Sequence, residues 1–271
     1  MNSVGKKLIL LSGPRTGSNF LRGLLSSHEA VFMYNELFNI SLLDRQSLIK
    51  IADNAEEYVD EKLAHQSQSV VGFKLFYRHL SALKTSEMLH DEHFHNPRIQ
   101  NSLSDYCELI SDERFFNKLS TSLTSFLDTL KNDKSYYIVH LKRNNKLNSL
   151  LSLKNAFFTD QWVRIGEKPQ KYKPIRLSEN ECTEYFNRME KYENYYDTLF
   201  KDHNMLEVRY EDLERESGVI LNKILNFLDL PYQNLDSYLM KQKVQSNSEL
   251  IENFDDLRSG YKDTQWERFF I

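Results

Sequence analysis

The side chains that could do chemistry in this chain gather in a few short groups. Ser12-Gly13-Pro14-Arg15-Thr16-Gly17-Ser18-Asn19 brings two glycines, hydroxyls and a guanidinium together between an apolar run and a helical pattern. Glu36 follows in Asn35-Glu36-Leu37-Phe38, and Lys74 interrupts the apolar run Val70 to Phe76. Further on, Lys142-Arg143-Asn144-Asn145-Lys146 precedes Ser149 and Ser152. Cations and hydroxyls at strand ends suit an oxyanion. A carboxylate near them suits proton removal.

The first group is the most informative. Gly13 and Gly17 permit backbone angles and close approaches denied to other residues, and a helix starting there points unpaired N–H groups and its positive dipole end at the loop. That geometry binds phosphate and is preferred to an ordinary tight strand-to-helix turn. The residues depart from the ATP loop G-x-x-x-x-G-K-[ST]. With Gly17 as the second glycine, Ser12 stands at the first, Ser18 at the lysine and Asn19 at the magnesium-binding hydroxyl. The positive group has moved upstream to Arg15. A phosphate-like leaving group without an obligatory metal is the expectation.

The elements that position these groups follow from pattern. Leu8 to Leu11 reads as a strand buried on both faces, and Phe20, Leu21, Leu24 and Leu25 have helical spacing. Val31 to Tyr34 is a short apolar piece leading to Glu36, which is either beside the reacting group or a solvated or capping residue. Residues 41 to 65 are helical in pattern. Val70 to Phe76 is a second buried strand in which Lys74 must emerge at the end or meet an anion. Tyr136 to Leu141 is a third, followed by a helix with Leu147, Leu150, Leu151 and Phe157 on one face and Ser149 and Ser152 on another. The basic cluster between them is either a second anion site or a solvated edge. Ser178-Glu179-Asn180-Glu181 opens a helix to about Lys201, Met205 to Tyr210 is a fourth strand, and a helix over 219 to 228 is closed by Pro231. Strands separated by helices predict an α/β fold with a parallel sheet.

Length and composition bound the rest. The 271 residues, without a Pro/Gly/Ser-rich linker, predict one domain over 1 to 271. A net charge of −4 and no polybasic run exclude a nucleic-acid surface, and no apolar run approaches the length of a membrane span or signal peptide. The expected location is the cytoplasm. Cys107 and Cys182 have no zinc or redox spacing. Residues 80 to 135 read as helices and polar loops, an insertion suited to an acceptor-side lid. Its His90, His93 and His95 crowd one segment, so a surface loop is preferred to a metal site. The polar stretch 159 to 177, with Trp162, Pro169, Tyr172 and Pro174, could stack on a substrate ring. Oligomeric state is unreadable, with a homodimer left open.

Taken together, the motifs resemble the sulfotransferases that use 3′-phosphoadenosine 5′-phosphosulfate (PAPS), and within them the bacterial carbohydrate branch of NodH-like enzymes. Pro14 to Leu21 is similar to that branch's 5′-phosphosulfate loop, P-R-[ST]-G-S-[TN]-x-L. Val139 through Ser152 resembles its 3′-phosphate motif, and Val208 to Leu213 its Y-E-D-L segment. The tail, Glu252 to Leu257 with Gly260 and Thr264 to Phe269, resembles its C-terminal pattern. One departure is Arg143-Asn144-Asn145, where the branch commonly has R-R-D.

The resemblance implies a P-loop-like three-layer fold with a central, mainly parallel sheet flanked by helices. It also implies PAPS as co-substrate, adenosine 3′,5′-bisphosphate as product, no metal, and a sugar, glycolipid or small hydroxylated acceptor. Cofactor contacts carry over to Arg15, Thr16, Gly17, Ser18, Asn19, Phe20, Arg143, Ser152, Tyr210 and Lys243, with Ser149 as the alternative to Ser152. Sulfuryl transfer needs in-line placement, a neutralised leaving group and a base for the acceptor proton. Arg15 is expected at the leaving group and Lys74 at the sulfuryl group. Glu36 is expected as the general base, its pKa raised by desolvation, with His79 as backup. A P-loop kinase or NTPase, or a nucleotide-binding module without catalysis, would be the alternatives. The first is weakened by the missing loop lysine and magnesium-binding aspartate.

Overall fold

The structure is a computed structural model that describes residues 5–80, 109, 112–159, 161–162, 173–236 and 246–271. Five strands, β1 (Lys6–Ser12), β2 (Val31–Glu36), β3 (Val70–Phe76), β4 (Tyr136–Lys142) and β5 (Asn204–Arg209), form one sheet in the order β2-β3-β1-β4-β5. Every pairing is parallel. The fold is thus α/β with a central parallel sheet, as the alternation of elements predicts.

β1 lies in the middle because both of its faces are apolar. Ile9 and Leu11 enter one core, Leu8 and Leu10 the other, and all four are fully buried. Alternation along a strand requires this division. Each such side chain contributes roughly 1.5–3 kcal/mol by leaving water. The first core is covered by α2 (Arg45–Asp53), α3 (Ala55–Ala64), α4 (Glu113–Asn132), α5 (Lys146–Thr159) and α6 (Glu179–Leu199). The second is covered by α1 (Ser18–Leu25) and α8 (Ser217–Phe227), with α7 (Tyr210–Arg215) following β5. Two short helices, α9 (Asn247–Leu250) and α10 (Phe254–Gly260), end the chain together with a 3-10 turn at Glu267–Phe270.

The helical pattern of 41 to 65 divides into a 3-10 turn (Ile40–Leu42), α2 and α3. Asn54 makes the break, since its side chain accepts the Glu56 and Glu57 N–H groups and caps α3. Within 80 to 135, α4 packs the stripe Leu119, Leu123, Phe126 and Leu130 inward. The tail folds back on α6, where Phe186 meets the rings of Tyr261, Trp266, Phe269 and Phe270. Among the described residues no helix is long and apolar enough to cross a membrane.

The strand order matters for function. The chain leaves β1 towards β2 and β3 on one side, then crosses to β4 and β5 on the other. Such a switch opens a crevice at the C-terminal strand ends.

Candidate active site

The crevice is lined from β1, β2, β3, β4 and β5 at once. After β1, Arg15 adopts φ +60° and Gly17 φ +86°, both left-handed. Thr16 Oγ1 donates to the Gly13 carbonyl at 2.9 Å, tightening the turn. Gly17 caps α1 without any side-chain hydrogen bond, so the helix's first N–H groups are left to the loop. A Cβ on Gly17 would lie 2.4 Å from Tyr210 Cδ2. Only glycine fits there.

Tyr210 in turn carries Arg143, whose guanidinium carbon lies 4.6 Å from the ring centroid. Arg143 Nη1 donates to the Arg15 carbonyl at 3.0 Å. Arg15 itself reaches across the crevice, with Nε donating to Ser152 Oγ at 2.9 Å and Nη1 to the Trp162 carbonyl at 2.7 Å. The two basic strand ends are therefore one site. Ser152 holds Arg15, whereas Ser149 Oγ, like Arg143 Nε and Ser12 Oγ, is buried without a hydrogen-bond partner. Unsatisfied buried donors beside an arginine are what an oxyanion would satisfy.

The turn carrying Arg143 is braced from outside. Glu211 accepts the Asn144 and Asn145 N–H groups at 3.0 and 3.1 Å. Asn145 Oδ1 accepts the Asn148 N–H at 3.0 Å, so asparagine still caps α5 where the branch has aspartate. Arg209 donates to Asn144 Oδ1 at 2.9 Å, and the Phe269 carbonyl accepts from Asn145 Nδ2 at 3.1 Å.

On the opposite side of β1, β2 and β3 bring the carboxylate. A bulge after Tyr34 sets Glu36 against Lys74 in register. Lys74 is 0% exposed, and its ammonium lies 2.6 Å from Glu36 Oε1 while donating to Asn19 Oδ1 at 2.5 Å. Asn39 donates to Glu36 Oε2 at 2.5 Å, and His79 Nε2 stands 3.8 Å from the same oxygen. Asn19 lies in the first turn of α1, so the carboxylate is linked to the loop after β1 through a single lysine.

One expectation changes here. Burial pushes the Glu36 carboxyl up, but Lys74, His79 and the hydrogen bonds from Lys74 and Asn39 outweigh it, and its pKa is lowered instead of raised. Burial also pulls the Lys74 ammonium down, against the opposing pull of Glu36. Glu36 is thus held as a carboxylate by its partners despite its burial. His79 Nδ1 accepts the Phe76 N–H at 3.1 Å. Its Nε2 faces the Glu36 carboxylate.

Thr16 and Ser18 are buried in the loop, and Phe20 packs against the second core. Lys243 lies outside the described residues, as do Cys107, Pro169, Tyr172, His90, His93, His95 and most of the expected lid. The sequence also concealed a support behind the loop. Tyr77 N–H donates to the Ser12 carbonyl at 3.2 Å, and its hydroxyl lies 2.8 Å from His140 Nε2. His140 Nδ1 faces Asp197 at 3.0 Å, and Asp197 accepts from Lys142 at 2.6 Å. Nothing in local spacing links residues 77, 140 and 197.

Nodulation protein H of Rhizobium tropici is 23% identical over 265 residues, covering 97% of this chain and 92% of the relative. Nodulation protein H of Rhizobium meliloti (strain 1021) is 23% identical over 275 residues, with 96% and 93% coverage. Among solved structures, a sulfotransferase from Alicyclobacillus acidocaldarius has a TM-score of 0.48 at 11% identity, covering 96% of this chain and 92% of its own. The sequence profile of the Sulfotransferase family matches residues 8–234, from β1 past β5, and with that match the chain belongs to the Sulfotransferase family and is an enzyme of sulfuryl transfer.

Proposed function

We propose that the sulfuryl donor is PAPS and that the acceptor is a hydroxyl of a carbohydrate or glycolipid. The observation that carries the donor assignment is the double engagement of Arg15, its guanidinium on Ser152 and its carbonyl on Arg143. One arginine thereby joins a loop suited to a 5′-phosphosulfate to a turn suited to a 3′-phosphate. The unsatisfied Arg143 Nε and Ser149 Oγ fit such an anion. When bound, PAPS supplies the sulfuryl group and a bisphosphate leaving group.

The chain's own residues divide the remaining work. Loop N–H groups and Arg15 hold the leaving oxygens, and the arginine fork keeps its charge at any working pH. Lys74 steadies the sulfuryl oxygens from the Glu36 side. Glu36 takes the acceptor's proton on a carboxylate oxygen, and His79 and Asn39 orient it. Negative charge arriving beside Lys74 offsets that ammonium, so Glu36 gains proton affinity when the donor is in place. The acceptor reading is supported by the resemblance to the carbohydrate branch and by the aromatic pair next to Arg15. Trp162, whose carbonyl accepts from Arg15, meets Phe157 edge to face at 4.9 Å.

The test is a thermal-shift comparison followed by transfer from labelled donor. Adenosine 3′,5′-bisphosphate should raise Tm more than ATP with magnesium, and a preference for ATP overturns the donor. Glu36→Gln should keep that shift yet lose about 10²–10⁴ in turnover. Unchanged turnover removes Glu36 as base.

A further inference from the structure

A loop that binds an anion through its N–H groups must also keep its carbonyl oxygens away from the ligand. Three carbonyls of the loop after β1 are taken by donors: that of Ser12 by the Tyr77 N–H, that of Gly13 by Thr16 Oγ1 and that of Arg15 by Arg143. Thr16 and Arg143 belong to the site itself. Tyr77 comes from beyond the end of β3, so its own position must be fixed from elsewhere.

Every polar group of Tyr77 is held. Its N–H follows the β1–β3 register, in which Ser12 stands opposite Phe76. Its carbonyl accepts the hydroxyl of Tyr196, on α6, at 2.8 Å, and the two rings stack with centroids 5.5 Å apart. Its hydroxyl meets His140 Nε2, on β4, at 2.8 Å, and His140 Nδ1 lies 3.0 Å from Asp197, also on α6. A carboxylate only accepts, so Asp197 takes the Nδ1 proton, and burial, which lowers the pKa of His140, keeps the ring neutral. Nε2 is then left to accept from Tyr77.

The ring fixed in this way lies against the loop, since a Cβ on Gly13 would sit 3.2 Å from Tyr77 Cε2. Tyr77 and His140 are both buried. Phenylalanine and leucine would fill much the same volume without the cost of desolvating a hydroxyl and an imidazole. What the polar chain adds is a fixed ring position.

We infer that Tyr77 is a positioning residue for the donor loop, held by His140 and Asp197 so that the Ser12–Gly13 backbone turns its carbonyls away from the donor's anionic end. The inference rests on the donor reading above and adds a residue that acts through the loop instead of touching the ligand.

Calorimetric titration of the full chain with adenosine 3′,5′-bisphosphate, well below Tm, tests this. Tyr77→Phe keeps the ring and its stack but loses the bond to His140. It should weaken bisphosphate binding about tenfold, the worth of one buried hydrogen bond. His140→Leu should do the same, and the double variant should bind no more weakly than either single one, since both remove one bond. His140→Gln, whose amide can donate to Asp197 and accept from Tyr77, should stand closer to the wild type than His140→Leu. A Tyr77→Phe variant with lowered Tm but wild-type bisphosphate affinity would make Tyr77 a structural residue only and overturn the inference, as would additive losses in the double variant. In both cases the donor reading stands. A wild type that does not bind the bisphosphate overturns the donor reading and this inference with it.

Discussion

The loop after β1 and the turn after β4 both present an arginine to one crevice, but they are held by different means. The first is set by backbone conformation and by the absence of atoms. Arg15 and Gly17 take left-handed angles, α1 starts without a side-chain cap, and Tyr210 occupies the volume that a Gly17 side chain would need. The second is set by side chains. Glu211 takes two backbone N–H groups, Asn145 caps α5, and Lys146 donates to the Arg143 carbonyl at 2.7 Å. A steric constraint fails all at once when violated. A hydrogen-bonded brace with several members weakens by degrees.

Three substitutions or conditions should break or sharpen that contrast. Gly17→Ala has the largest expected effect. It adds a clash with Tyr210 to a backbone conformation costing about 1–3 kcal/mol for other residues, and bisphosphate binding by calorimetry should fall below detection. Retained binding would mean that the loop is not sterically specified. Glu211→Ala should act more gently, because the Asn145 cap and Arg209 remain. Bisphosphate affinity should fall by about tenfold or less, for a loss near 1 kcal/mol, with Glu211→Gln between it and the wild type. An effect as large as that of Gly17→Ala would remove the contrast.

The smallest effect lies behind both ends, at Asp197. Burial raises its pKa, but the hydrogen bonds and charges of His140 and Lys142 prevail and bring it to about 2, from an ordinary 3.8. Its contribution to stability is present above pH 3.8 and is lost as pH falls towards 2. Chemical denaturation between pH 5 and 2.5 should therefore show a shallower acid loss for Asp197→Asn than for the wild type. Parallel curves would show that the pairing carries no linkage.

Much of this was open to inspection in the sequence, for physical reasons that differ by region. Strands β1, β3 and β4 announce themselves because they are buried on both faces, which demands unbroken apolar runs. The edge strand β2 is harder to see, because Val31 to Tyr34 is short and its C-terminal Asn35 and Glu36 are polar. Loop chemistry is local, so Gly13, Arg15 and Gly17 could be read directly. The Glu36–Lys74 contact depends on a bulge and on β2 pairing with β3, neither of which has a local sign. For that reason desolvation alone suggested the wrong direction for the Glu36 pKa. The Glu211 brace and the Tyr77–His140–Asp197 chain are long-range for the same reason. Each joins residues whose neighbourhood is created only by the sheet order.

The hydrogen bond from Arg15 to the Trp162 carbonyl carries a consequence for the order and strength of binding. It places the guanidinium that would grip the donor in direct contact with Trp162, a residue proposed above for the acceptor side. Any ligand that repositions Arg15 must therefore alter the energy of the Trp162 segment. By thermodynamic reciprocity, the factor by which bound bisphosphate changes acceptor affinity equals the factor by which bound acceptor changes bisphosphate affinity.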